Sequence, residues 1–436
     1  MMRKLDSKSE NFQDTLHQLL AKGITISEDI ASAVHPIIAS VDSRGDDALI
    51  DWTRRLDDWQ PEDAAALELT PLRRADISAT TEPQVRQALE KAIVRIKRYA
   101  EHQRLRGWSE TDADGMRFGE RIEALEKVGL YVPGGLAAYP SSVLMNALPA
   151  RVAGVRELIM CVPAPHGTIN PAVITAAELA DVDRIFLLGG AQAIAAMAFG
   201  THSVPRVDKI VGPGNRYVQG AKKQLYGQVG IDMLAGPSEV VVLADASANP
   251  IWIAADLIAQ AEHDPWAQAI LISSDQTLID QVEHHIKNEF PRQPRADIIE
   301  QSLRDRGALI KVRDEDEGAH MVDMIAPEHL VVMSTHASTW AQKVQHAGAI
   351  FIGGYSVQAF GDYCAGTNHV LPTAGAARFA SPLNTADFQK RISFIECSQQ
   401  AAQALSVIGS VLARSEGFEA HARAMECRFE HKHQPD

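Results

Sequence analysis

The 436-residue chain sets 42 Lys and Arg against 56 Asp and Glu, a formal net charge of −14, with 46% apolar and 22% charged side chains. That composition excludes a disordered or fibrous protein and predicts two or three packed units. The acidic balance, spread without a basic stripe, predicts neither nucleic acid nor an anionic membrane as main partner and favours a small molecule.

Cys161, Cys364, Cys397 and Cys427 are widely spaced and form no C-x-x-C pair, so they read as reduced thiols. No uninterrupted apolar run reaches the roughly 18 residues of a membrane span, and the polar start M-M-R-K-L-D-S lacks a signal-peptide core. The expected location is cytoplasmic.

In chain order, residues 1–27 read as an N-terminal arm. Up to about residue 125 the pattern is mostly helical, with Val34, Ile37, Ile38 and Val41 at three- and four-residue spacing and a similar texture from Glu82 to Tyr99. Ser27, followed by Glu28 and Asp29, is a candidate cap, and Thr80 or Thr81 is another. From Val128, short β-rich runs alternate with alanine-rich helical ones. Strands are expected at Glu157–Val162, Arg184–Leu188 and Lys209–Val211, with helices at Pro171–Leu179 and Ala191–Phe199. A second run places strands at Glu239–Leu243, Ala269–Ser273, Ala308–Val312, His329–Met333 and Ala349–Ile352. Helices are expected between them at Ile251–Glu262, Leu278–Glu289, Glu315–Ile325 and Thr339–Ala347.

This alternation predicts an α/β protein of two doubly wound, Rossmann-like units, with a helical N-terminal region and a helical C-terminal tail. The expected division is a larger domain of 28–129 plus 239–382, a smaller inserted domain of 130–238, and a tail of 383–436. The tail has too few apolar residues for a core of its own and is expected to dock elsewhere.

Glycine clusters at Pro133-Gly134-Gly135, Gly189-Gly190, Gly212-Pro213-Gly214-Asn215 and Gly236-Pro237-Ser238 mostly flank expected strands. At the carboxyl edge of an open sheet such turns let a backbone approach an anion. None completes G-x-G-x-x-G and no Walker lysine follows, so a nucleotide site and plain strand-to-helix turns both fit. Gln260 and His263 lie three apart near a helix end stopped by Asp264-Pro265, where they can converge on one ion or simply hydrogen-bond. Glu328-His329 follows Ala326-Pro327 at a helix-to-strand turn and offers a base near neutral pH beside a carboxylate able to activate water. Gly361-Asp362-Tyr363 and Thr367-Asn368-His369 crowd polar groups into one loop, and Glu416 and His421 stand in the tail.

Together these residues resemble the histidinol dehydrogenase family. The likeness runs in order through V-G-L-Y-V-P-G-G at 128–135, P-S-S-V-L-M-N-A at 140–147, G-G-A-Q-A-I-A-A at 189–196, V-D-K-I-V-G-P-G-N at 207–215 and I-D-M-L-A-G-P-S-E-V at 231–240. It continues through A-E-H-D-P at 261–265, I-A-P-E-H-L at 325–330, G-T-N-H-V-L-P-T at 366–373 and E-G-F-E-A-H at 416–421. The resemblance implies NAD- and zinc-dependent oxidation of L-histidinol to L-histidine through the aldehyde, the last steps of histidine biosynthesis, in a homodimer with shared active sites.

By the same resemblance, Gln260, His263, Asp362 and His421 hold one Zn2+ per subunit and contact the substrate. His329 is the general base and Glu328 activates water. Ser238, His369 and Glu416 help hold the substrate, and Tyr131, Gln192 and Asn215 contact NAD. The chain departs from the family pattern at Leu136, at Val357-Gln358 in place of Pro-Glu, and at Ala374 and Ala376. Two rival readings are an enzyme of the same fold acting on another amino or sulfo alcohol, and a binding protein without catalysis. His369 and Glu416 argue against the first, and the paired Glu328 and His329 against the second.

Overall fold

The computed structural model describes residues 2–20, 28–134 and 138–429. Ser27 and Leu136 lie outside the described residues. Two compact units result: one joins the chain up to 103 with 125–388, and the other joins 104–124 with the segment from 389 onward.

The first unit holds two parallel sheets. The five-stranded sheet runs Arg184–Phe186, Glu157–Cys161, Lys127–Tyr131, Lys209–Val211, Gly230–Ile231, which is 3-2-1-4-5 in chain order. The six-stranded sheet runs Arg3–Asp6, Ala308–Lys311, Gln268–Ser273, Glu239–Ala244, His329–Met333, Ala349–Ile352. Without its N-terminal edge strand it repeats the same 3-2-1-4-5 order, so the doubly wound expectation holds for both sheets.

Side-chain alternation explains why the central strands are apolar at almost every position. In Glu239–Ala244, Val240, Val242 and Ala244 face helices Pro250–Ala261 and Gln276–Glu289 through Ile253, Leu257 and Leu278. Val241 and Leu243 face the opposite layer, with Phe12, Leu16, Met321 and Val322. Each such fully buried aliphatic side chain contributes roughly 1.5–3 kcal/mol over an exposed one. Helix starts follow local chemistry: Pro171 and Pro250 occupy first-turn positions where a missing N–H costs nothing, after Asn170 and Asn249 caps that accept from Ala172 and Ile251 N–H at 2.9 Å.

Several sequence expectations change. The N-terminal arm is part of the six-stranded sheet, since Arg3–Asp6 pairs with Ala308–Lys311 and Phe12, Leu16 and Leu19 are buried. Helix Glu28–Arg44 points its Val34, Ile37, Ile38 and Val41 stripe at Ile159, Phe186 and Ile194, so it covers the five-stranded sheet and not the larger one. Helix Pro83–His102 starts without a side-chain cap. Thr80 closes the preceding helix, Pro71–Ala79, and Thr81 bonds Thr175 at 2.8 Å.

The second unit is built on strands where helix was expected. Gln389–Cys397 pairs antiparallel with Met116–Ala124, which also pairs with Trp108–Thr111. Helices Gln399–Ser415 and Glu419–Glu426 follow, tied by Arg414 to Glu419 at 2.9 Å and to Glu426 at 2.6 Å. Helix Gln399–Ser415 leaves Leu405, Val407, Ile408, Val411 and Leu412 exposed. No described helix is long and apolar enough to cross a membrane.

Candidate active site

At the carboxyl edge of the five-stranded sheet, the ends of the first and fourth strands touch. Gly212 has φ of +112°, and a Cβ there would collide with the Tyr131 carbonyl oxygen, so no other residue fits that approach. Tyr131 is buried, and its hydroxyl oxygen accepts from Gly190 N–H at 3.1 Å. Burial raises its pKa far above that of an ordinary tyrosine, which keeps the hydroxyl neutral. Gln192, in the first turn of helix Gly190–Phe199, is fully buried, and neither atom of its amide has a hydrogen-bond partner. Asn215 caps helix Arg216–Leu225 by accepting from Tyr217 and Val218 N–H at 3.0 and 3.1 Å.

Behind this turn, Lys222 reaches the Gly212 carbonyl at 2.6 Å and Asp232 at 2.7 Å, while Asp232 accepts from Gly212 N–H at 2.7 Å. A buried ion pair therefore braces the Gly212–Asn215 turn from both sides.

The second cluster lies at the opposite, amino edge of the six-stranded sheet. Ser238 directly precedes strand Glu239–Ala244, and Glu328-His329 starts strand His329–Met333. These two strands are neighbours, with His329 in register with Val240. The Glu239 backbone holds both candidate catalytic groups: its N–H donates to Glu328 Oε2 at 2.8 Å, and its carbonyl accepts from His329 Nδ1 at 2.9 Å. A carbonyl oxygen can only accept, so Nδ1 carries a proton and Nε2 bears the lone pair of the neutral ring.

His329 Nε2 is buried and unpartnered, 3.6 Å from Asp362 Oδ1. Burial opposes charge on this ring, but the Glu328 and Asp362 carboxylates outweigh it and lift the pKa well above the histidine range. They favour the imidazolium, so the ring acts as a base only after it has given up that proton. Asp362 is shifted down: burial works against its charge, and His329, His369 and His263 overcome it. The Glu239 side chain is pushed up to about 7 by burial and then by Glu328. Its Oε1 accepts from the N–H of Ala374, which has a left-handed φ of 52°.

His369 Nδ1 donates to the Asp362 carbonyl at 2.8 Å, and Ser142 Oγ lies 3.2 Å from Nε2. Both ring nitrogens are thus occupied within the protein, and burial lowers the pKa. Asn368 Nδ2 donates to the Met145 carbonyl at 2.7 Å. Gly361, Asp362 and Tyr363 lie in helix Gln358–Tyr363 and not in the expected loop. Ser142 and Met145 belong to helix Pro140–Ala153, which follows the first strand of the five-stranded sheet, so the segment from Asp362 to His369 is joined to that sheet's carboxyl edge.

Gln260 is buried in the last turn of helix Pro250–Ala261, and its Oε1 accepts from Gln358 Nε2 at 3.1 Å. Its Nε2 has no partner. His263 is exposed just past that helix. Among the described residues no group of three or more His, Cys, Asp or Glu side chains is gathered as a metal site. What the first unit offers is one imidazole, one carboxylate and one buried amide with an unsatisfied atom, a donor set suited to zinc. In the second unit, Glu416 ends helix Gln399–Ser415 and His421 lies on helix Glu419–Glu426, its ring 5.3 Å from Phe418. Both are exposed.

Glu239, Ser142 and the Lys222–Asp232 brace escaped the sequence reading, and Gln358 entered it only as a departure. Glu239 acts largely through its backbone, which no side-chain pattern reports. Ser142 and Glu239 did stand inside the P-S-S-V and G-P-S-E-V runs, the one available signal.

A family model described as histidinol dehydrogenase matches residues 21–429. The histidinol dehydrogenase of Dechloromonas aromatica is 51% identical over 429 residues, covering 98% of this chain and 99% of that protein. That of Nitrosomonas europaea is 49% identical with the same coverage. A crystal structure of histidinol dehydrogenase from Elizabethkingia anophelis superimposes with a TM-score of 0.91 at 32% identity, covering 98% of each chain.

Proposed function

The chain belongs to the histidinol dehydrogenase family, and on that premise we propose that it oxidises L-histidinol to L-histidine through L-histidinal, with NAD as the electron acceptor. The observation that carries this reading is the clamp of Glu328 and His329 on one backbone residue, Glu239. Oxidising an alcohol to an acid takes two hydride departures and one water addition. It therefore needs a base that acts twice and a separate activator of water.

His329 Nε2 removes the hydroxyl proton of histidinol as hydride leaves the carbon. Its ring is held in the required tautomer by the Nδ1–H bond to Glu239. Glu328, fixed by the Glu239 N–H, takes a proton from the water that adds to the aldehyde. His329, once it has released its first proton to solvent, deprotonates the hydrate for the second oxidation. Bound NAD would accept the hydride each time, with Tyr131, Gln192 and Asn215 lining its site; the buried, unpartnered Gln192 amide fits such a ligand.

One zinc ion per subunit would be held by Gln260, His263, Asp362 and His421, and would orient the imidazole and amine nitrogens of the substrate. Ser238, His369 and Glu416 would contact the substrate, His369 by exchanging its Ser142 bond. We further propose a homodimer in which the second unit completes the partner's site. The exposed apolar stripe from Leu405 to Leu412 supports it, since such a patch is unusual on a surface facing water. The four free thiols agree with a cytoplasmic location.

The test is to add L-histidinol, zinc and NAD to the purified protein and count NADH. Two NADH per substrate, with histidine as product, is expected. One NADH with accumulating aldehyde refutes the reading.

A further inference from the structure

Gln260 pairs with Gln358, a buried amide that the reaction scheme does not use. Gln358 opens helix Gln358–Tyr363, four residues before Asp362, and both glutamines are almost wholly inaccessible. Gln358 Nε2 donates to Gln260 Oε1 at 3.1 Å, which leaves Gln260 Nε2 and Gln358 Oε1 buried without partners. In that orientation the free atom of Gln260 is an N–H donor, which cannot ligate a cation.

A half turn of both amides exchanges oxygen and nitrogen at nearly the same positions. It keeps one hydrogen bond, now from Gln260 Nε2 to Gln358 Oε1, and makes the Gln260 carbonyl oxygen the free atom. Among the described residues Gln358 is the hydrogen-bond partner of the Gln260 side chain, so whether the group at 358 donates or accepts sets which state Gln260 adopts.

We propose that Gln358 is a positioning residue for the metal: by accepting from Gln260 Nε2 it turns Gln260 Oε1 toward the ion. The proposal rests on the zinc reading above. An amide at 358 can donate or accept and so holds both states. An ionised carboxylate only accepts and holds the ligating one, and a thioether of similar length holds neither.

Zinc affinity of the full-length, metal-stripped protein, measured by competition with a chromogenic chelator, separates these cases. Gln358→Met is expected to weaken zinc by about 10- to 100-fold, the usual effect of losing a partner that orients a ligand. Gln358→Glu is expected to bind at least as tightly as wild type. Circular dichroism confirms that each variant is folded, and rescue by Glu but not Met excludes a mere packing effect. If wild type binds no zinc, or Gln260→Ala binds it unchanged, the metal site itself is refuted and the proposal with it. If Gln260→Ala loses zinc while Gln358→Met keeps wild-type affinity, the proposal alone is refuted.

Discussion

Replacing Lys222 by Met tests whether the buried brace behind the Gly212–Asn215 turn holds that part of the fold. Met keeps most of the apolar stem, so the change is chiefly electrostatic. Asp232, 1% exposed like its partner, keeps backbone N–H donors from Gly212 and Met233 at 2.7 Å but loses its counter-charge, and the Gly212 carbonyl loses a donor. Breaking one side of a buried ion pair costs about 3–5 kcal/mol. Because two amides still face Asp232, the lower end, about 3 kcal/mol, is expected. That is on the order of 100-fold in the folded-to-unfolded ratio, against a total stability of roughly 5–15 kcal/mol.

Urea unfolding followed by circular dichroism reads the loss. The double variant Lys222→Met/Asp232→Asn is expected to recover part of it, since no uncompensated charge remains. In the folded variant the KM for NAD should rise more than kcat falls, because the turn carries Asn215 and not His329. A loss below about 1 kcal/mol, with no recovery in the double variant, would refute the brace; the expected range it must miss is that of a broken buried pair.

His329→Asn should slow oxidation of both histidinol and histidinal by about 100- to 10,000-fold, whereas Glu328→Gln should impair the aldehyde step more than the alcohol step; NADH formation from each substrate checks both. Asp256, buried in helix Pro250–Ala261, is pushed up to about 6 by burial. A carboxyl whose folded pKa is raised loses its stability contribution as pH climbs through that value. Asp256→Asn should therefore gain on wild type above pH 6, by up to about 3 kcal/mol at pH 8, and show no such gain at pH 3; urea midpoints across pH decide it. For the dimer, co-refolding His263→Asn with His421→Asn should restore roughly one quarter of wild-type activity: about half the dimers are mixed, each with one intact site of two. No recovery, while wild type refolds fully, would place His421 outside the partner's site.

The parallel core and the base pair Glu328-His329 were legible in the sequence. Strands buried on both faces must be apolar at consecutive positions, so His329–Met333 is found with the expected bounds, as are Lys209–Val211 and the half-exposed edge strand Ala349–Ile352. The antiparallel strands were hidden for the opposite reason. Met116–Ala124 carries Arg117, Glu120, Arg121 and Glu123 and is half-buried along most of its length, and its partner Gln389–Cys397 lies more than 260 residues away in the chain. Neither burial nor a local turn marks such a pair.

The same division governs the site. Residue types that carry chemistry were visible: Glu328, His329, Gln260, His263 and Asp362. What decides their state was not. The tautomer of His329 follows from the Glu239 carbonyl, the free atom of Gln260 from the Gln358 amide, and the shape of the Gly212 turn from a pair between Lys222 on helix Arg216–Leu225 and Asp232 just past strand Gly230–Ile231. These are contacts of backbone atoms and of side chains outside helical or strand spacing, 10 residues apart for Lys222 and Asp232 and 98 for Gln260 and Gln358. Side-chain type and spacing encode what a group is able to do, and only tertiary packing settles which atom it presents.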